Sequence, residues 1–97
     1  MYVKALRDRG VPFKAARLFG SFACGTAHRW SDIDILVVLD DSLAADEFDK
    51  ASTMLWSIAR TVDIRIEPLA IREDEWLHDE ATPIILIVRE SGVPLAA

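Results

Sequence analysis

From Ile33 to Leu39 the chain is apolar and mostly β-branched, broken only by Asp34. Such a run predicts a buried strand. The spacing then changes: Ala44, Phe48, Ala51, Leu55 and Ile58 recur every three or four residues. That periodicity predicts a helix with one apolar stripe, and Asp40-Asp41-Ser42 before it supplies capping side chains. From Val62 to Glu67 the alternation is strict, with Val62, Ile64 and Ile66 on one side and Asp63, Arg65 and Glu67 on the other. A second strand, with one polar face, is expected there.

The flanks are quieter. Residues 2–9 predict a short helix closed by Gly10, and Arg17-Leu18-Phe19 a short strand running into Gly20-Ser21. Residues 21–31, which include Ser21, Gly25, Thr26 and Ser31, predict a turn or the start of a short helix. Arg72 to His78 predicts another short helix. The run Ile84 to Val88 fits helix or strand on periodicity alone, but Thr82-Pro83 before it and Gly92 and Pro94 after it favour a helix. The fold class expected is α/β (α+β): a small mixed β-sheet with helices packed mainly on one face, in a single domain spanning residues 1–97.

Composition narrows the partners. The chain is 52% apolar, enough for a core, and its net charge of −5 disfavours broad binding to DNA or RNA. One nucleotide held through metal ions remains compatible with that charge. A single cysteine, Cys24, permits no intrachain disulfide, and no apolar stretch or signal core stands out, so a cytoplasmic protein without membrane contact is expected.

The chemistry concentrates in Leu18-Phe19-Gly20-Ser21-Phe22-Ala23-Cys24-Gly25 and Ser31-Asp32-Ile33-Asp34-Ile35-Leu36-Val37-Val38. Asp32 and Asp34, two apart at the head of a strand, project from one face. Like charges so close repel unless a cation sits between them, and magnesium prefers carboxylate oxygens while keeping room for phosphates. Asp63, on the polar face of the next strand, is the expected third carboxylate. Three acids suffice for two metal ions about 3.5–4 Å apart. Gly20 allows close backbone approach, helix-start amides attract anions, and the Ser21 hydroxyl adds a donor.

This order of motifs resembles the DNA polymerase beta-like nucleotidyltransferase superfamily, and within it the minimal nucleotidyltransferase (MNT) type. Those domains carry Gly-Ser, then Asp-x-Asp, then a third carboxylate, matched here by Gly20-Ser21, Asp32-x-Asp34 and Asp63. The resemblance implies transfer of a nucleoside monophosphate, AMP from ATP, to a hydroxyl with release of pyrophosphate. Asp32, Asp34 and Asp63 would be catalytic and hold two Mg2+ ions, while Gly20, Ser21 and Ser31 would bind the nucleotide. Many relatives have arginine where this chain has Cys24, with His28 and Arg29 nearby as substitutes. MNT-type proteins act as antitoxins that adenylylate a HEPN-type toxin, so such a toxin is the partner implied, in a homo- or hetero-oligomer.

Two other functions compete with that one: a binding module that neutralises its partner by occlusion, and a small-molecule, antibiotic-type adenylyltransferase. Blander roles suit the remaining residues. Cys24 reads as packing, His28 and His78 are too isolated for zinc, and Glu73-Asp74-Glu75 favours a helix start. Arg65 and Glu67 suit a surface ion pair, though Arg65 could also approach a nucleotide. Trp56 and Trp76 fit ordinary packing or an interface.

Overall fold

The structure is a computed structural model that describes residues 2–27 and 31–96, leaving aside the Cys24 side chain. Its elements are α1 (Tyr2–Asp8), β1 (Phe13–Phe19), α2 (Ser21–Cys24), β2 (Ile33–Leu39), α3 (Ala45–Val62), β3 (Ile66–Arg72), α4 (Glu73–His78), α5 (Pro83–Ser91) and β4 (Val93–Ala96). The strands form one sheet in the order β3-β2-β1-β4. β2 and β3 run parallel, joined by the α3 crossover, whereas β1 is antiparallel to both β2 and β4. The sheet is therefore mixed, as the patterning predicts.

Alternation along β2 sorts the core into two layers. Ile35, Val37 and Leu39 point to the α1–α3 side, where Val3, Leu6, Leu55 and Ile58 complete the larger cluster. Leu36 and Val38 point to the opposite side and pack with Ile85 and Val88 of α5, with Trp76 of α4 against them. Helices thus cover both faces, the larger core lying under α1 and α3. β2 is buried on both sides, which explains its unbroken apolar run.

Three local expectations are corrected. The residues 62–67 are not one strand: α3 continues through Val62, the Asp63 amide donates to the Ala59 carbonyl, and β3 starts only at Ile66. Val62 extends the apolar stripe of Ile58 by four residues, so helical spacing competes with alternation and holds the backbone. Next, Asp40-Asp41-Ser42 does not cap α3, which starts later with the Ala44 amide donating to Glu47 Oε1 at 2.8 Å. Asp40 instead accepts from the Ser42 amide, and Asp41 from the Asp74 amide in the first turn of α4. Finally, Val93–Ala96 is a strand where the sequence suggested only a helix stop.

Candidate active site

Asp32 stands just before β2 and Asp34 is its second residue, at the head of the strand as the pattern predicts. Asp34 shares its face with Leu36 and Val38, the side of α4 and α5. Burial pushes the Asp34 carboxyl above its ordinary range, and the neighbouring Asp32 charge adds to the rise. An acid whose ionisation is opposed by burial and by a neighbouring carboxylate suits a cation.

Gly20 fixes the second half of the site. Its φ of 73° lies in the left-handed region, and a side chain there would run into the Asp34 carboxylate. The turn between β1 and α2 is thus pressed directly against a candidate metal ligand. α2 follows at once, putting Ser21 and the first amides of a helical turn beside the carboxylate. Gly25, also at φ 73°, ends that turn with its amide donating to the Ser21 carbonyl. Ser31 is half-buried just before Asp32. His28 and Arg29 lie outside the described residues, as does the Cys24 side chain.

Asp63 does not join this group. Its carboxylate pairs with Arg65 at 2.8 Å and accepts the Arg65 amide at 2.9 Å. Hydrogen bonding from the Arg65 side chain, then from its amide, draws the Asp63 pKa down to about 2. Arg65 in turn lies over the Phe22 ring of α2 at 5.7 Å. Asp63 lines a cavity of about 260 Å³ with Tyr2, Leu18, Ile33, Ile35, Val62, Ile66 and Leu95. Most of those side chains belong to the α1–α3 layer, the side of the sheet away from Asp34.

A further carboxylate, Glu67, stands in register with Asp34. The parallel register sets Asp34 opposite Glu67, one pair after Ile33 and Ile66. Ile66 faces the α1–α3 core, so Glu67 projects to the other face, with Asp34, and is exposed. Among the described residues no three acidic, histidine or cysteine side chains converge closely enough to hold an ion. The register nevertheless sets Glu67 across from Asp34 on the neighbouring strand, whereas Asp63 ends α3 before that strand begins. The alternation already put Glu67 on a polar face; what it could not reveal was that the strand begins after Arg65.

The nucleotidyltransferase domain family matches residues 2–92, and the chain belongs to it. A stretch of 58 residues is 43% identical to the protein adenylyltransferase MntA of Shewanella oneidensis, covering 60% of this chain and 37% of that protein. The chain therefore spans little more than a third of that relative's length. It superposes on a chain of a toxin–antitoxin complex with AMP-PNP at a TM-score of 0.62 and 28% identity, covering 98% of this chain and 69% of the other. A mutant MntA–HpeT toxin–antitoxin gives a TM-score of 0.61 at 26% identity, with the same coverage. The fold and the MNT-type likeness agree with the motifs that first suggested them.

Proposed function

We propose that the chain transfers AMP from ATP to a hydroxyl of a toxin partner, of HEPN type as the resemblance implies, with Mg2+ held by Asp32, Asp34 and Glu67. The observation that carries this reading is the contact of Gly20 with Asp34, which joins a phosphate turn to a metal ligand. The relatives named above support it: one is a protein adenylyltransferase, and another was crystallised with an ATP analogue.

The donor set suits the metal. Asp32 and Asp34 offer hard oxygen ligands whose repulsion a divalent ion would relieve, and Glu67, exposed and in register with Asp34, offers a third across the strand pair. When bound, such ions neutralise charge on the transferring phosphoryl group and its leaving group. The protein's share is positional. Gly20 and Ser21 hold the terminal phosphates through backbone amides and a hydroxyl, and Gly20 brings them against Asp34. Glu67, at the edge of the sheet, is placed to accept the proton of the incoming hydroxyl. Asp63 serves the fold rather than the reaction, through its bonds to Arg65.

Intact-mass spectrometry of a co-expressed toxin with this protein, ATP and Mg2+ tests the reading. A gain of whole AMP units is expected. Asp34→Asn and Glu67→Gln should each lower the rate by roughly 100-fold or more, while Asp63→Asn should stay within about threefold of the parent. A toxin silenced without any mass gain would favour occlusion and overturn the enzyme. Loss with Asp63→Asn but not with Glu67→Gln would return the third carboxylate to Asp63.

A further inference from the structure

Arg17 stands one row below the carboxylates on the same face of the sheet. Phe19, Asp34 and Glu67 form one cross-strand row, and Arg17, Leu36 and Leu69 the next. Same-face neighbours along a strand are about 6.5–7 Å apart. The Arg17 guanidinium rests over the Trp76 ring at 5.3 Å, and its Nε is buried without a hydrogen-bond partner. Among the described residues it has no ion pair either.

Other arginines of this domain are committed. Arg89, also 5.8 Å from Trp76, donates to the Trp76, Glu75 and Asp79 carbonyls. Arg65 holds Asp63, and Arg72 donates to the Leu43 carbonyl. Among the described residues Arg17 alone keeps a buried side-chain donor unspent, at Nε, which costs free energy, and none of their carboxylates neutralises its charge. A triphosphate beside three carboxylates needs positive charge close by. A planar guanidinium presents paired donors to phosphate oxygens.

We infer that Arg17 is a phosphate-binding residue that receives oxygens of the nucleoside triphosphate, with Trp76 as the platform that aims its guanidinium. The inference rests on the nucleotidyltransferase reading above and adds to it the residue that counters the substrate's charge. Nothing in the Gly-Ser or Asp-x-Asp motifs points to this position.

Calorimetric titration with Mg·ATP, and competition by Mg·tripolyphosphate, tests it on the parent protein, Arg17→Met and Arg17→Lys. Methionine keeps an unbranched stem against Trp76 but removes the fork, whereas lysine keeps the charge. Arg17→Met should weaken both ligands by the same factor, about tenfold or more, with Arg17→Lys in between. Its thermal midpoint without ligand should not fall, because an unsatisfied donor has been removed. Unchanged affinity, or a loss for ATP with none for tripolyphosphate, would overturn the inference. If Arg17→Met fails to fold, Arg17→Gln decides: weaker binding of both ligands by a similar factor is expected, and parental affinity for both would refute the phosphate contact. A parent protein that binds neither ligand would bring down the enzyme reading itself.

Discussion

Gly20 is the position at which backbone geometry and chemistry meet. Any side chain there suffers twice, from a φ of 73° and from collision with Asp34. The first costs about 1–2 kcal/mol; the second is relieved only by moving the carboxylate. Gly20→Ala should therefore fold with a urea midpoint lowered by an amount of that order, while AMP transfer falls roughly 100-fold, since small displacements of a positioned group are expensive. Equilibrium unfolding beside a turnover assay checks both. The sequence singles out Gly20 only in context, because a glycine-serine pair by itself is an ordinary loop and gains meaning from the strand before it and the Asp-x-Asp after it. Glu67 was less legible, because identifying it needs the β2–β3 register, and the alternating stretch begins inside a helix. Tyr2 illustrates what no pattern shows: its buried hydroxyl donates to the Leu55 carbonyl at 2.8 Å, tying α1 to α3.

Among the elements, β2 and α3 were readable because each has one dominant period over its whole length. β1 was read only at Arg17-Leu18-Phe19, yet it runs from Phe13. Ala15 and Ala16 hide the signal: alanine has little strand preference, but both are buried, one on each face, where small side chains let the layers close. β4 was missed because Gly92 and Pro94 look like punctuation, although an outer strand accepts proline. The α4–α5 pair depends on Arg89, whose guanidinium binds the carbonyls at the end of α4. Arg89→Ala would leave the carbonyl acceptors at that helix end without their donor and remove packing on Trp76. A loss of about 2–3 kcal/mol is expected, with faster amide hydrogen exchange in residues 73–80 than in α3. Uniform exchange across the molecule would contradict it.

For the whole molecule, charge sets the acid limit of stability. Asp63 is drawn from 3.8 to about 2 by Arg65. Asp40 is lowered chiefly by the Ser42 amide, and Asp79 chiefly by the Thr82 amide. Each depressed carboxylate stabilises the fold above its ordinary value, and that contribution is lost as pH falls through the folded one. Asp34 works in the other direction. Its raised pKa means that ionisation opposes folding, an opposition absent at low pH and growing as pH rises through the raised value. Urea unfolding should therefore show stability falling between about pH 4 and pH 2. Asp63→Asn should flatten that descent, and Asp34→Asn should raise stability near neutrality. An unchanged acid limb in Asp63→Asn would remove Arg65 as its cause.

The two outermost strands, β3 and β4, each contain a proline, Pro68 and Pro94. Proline has no amide hydrogen to offer a newcomer, so a strand laid along either flank would forfeit a bond at that point. Lateral polymerisation into fibrils is thereby discouraged at both borders. Another macromolecule is left to meet this domain over its helices or at the ends of its strands.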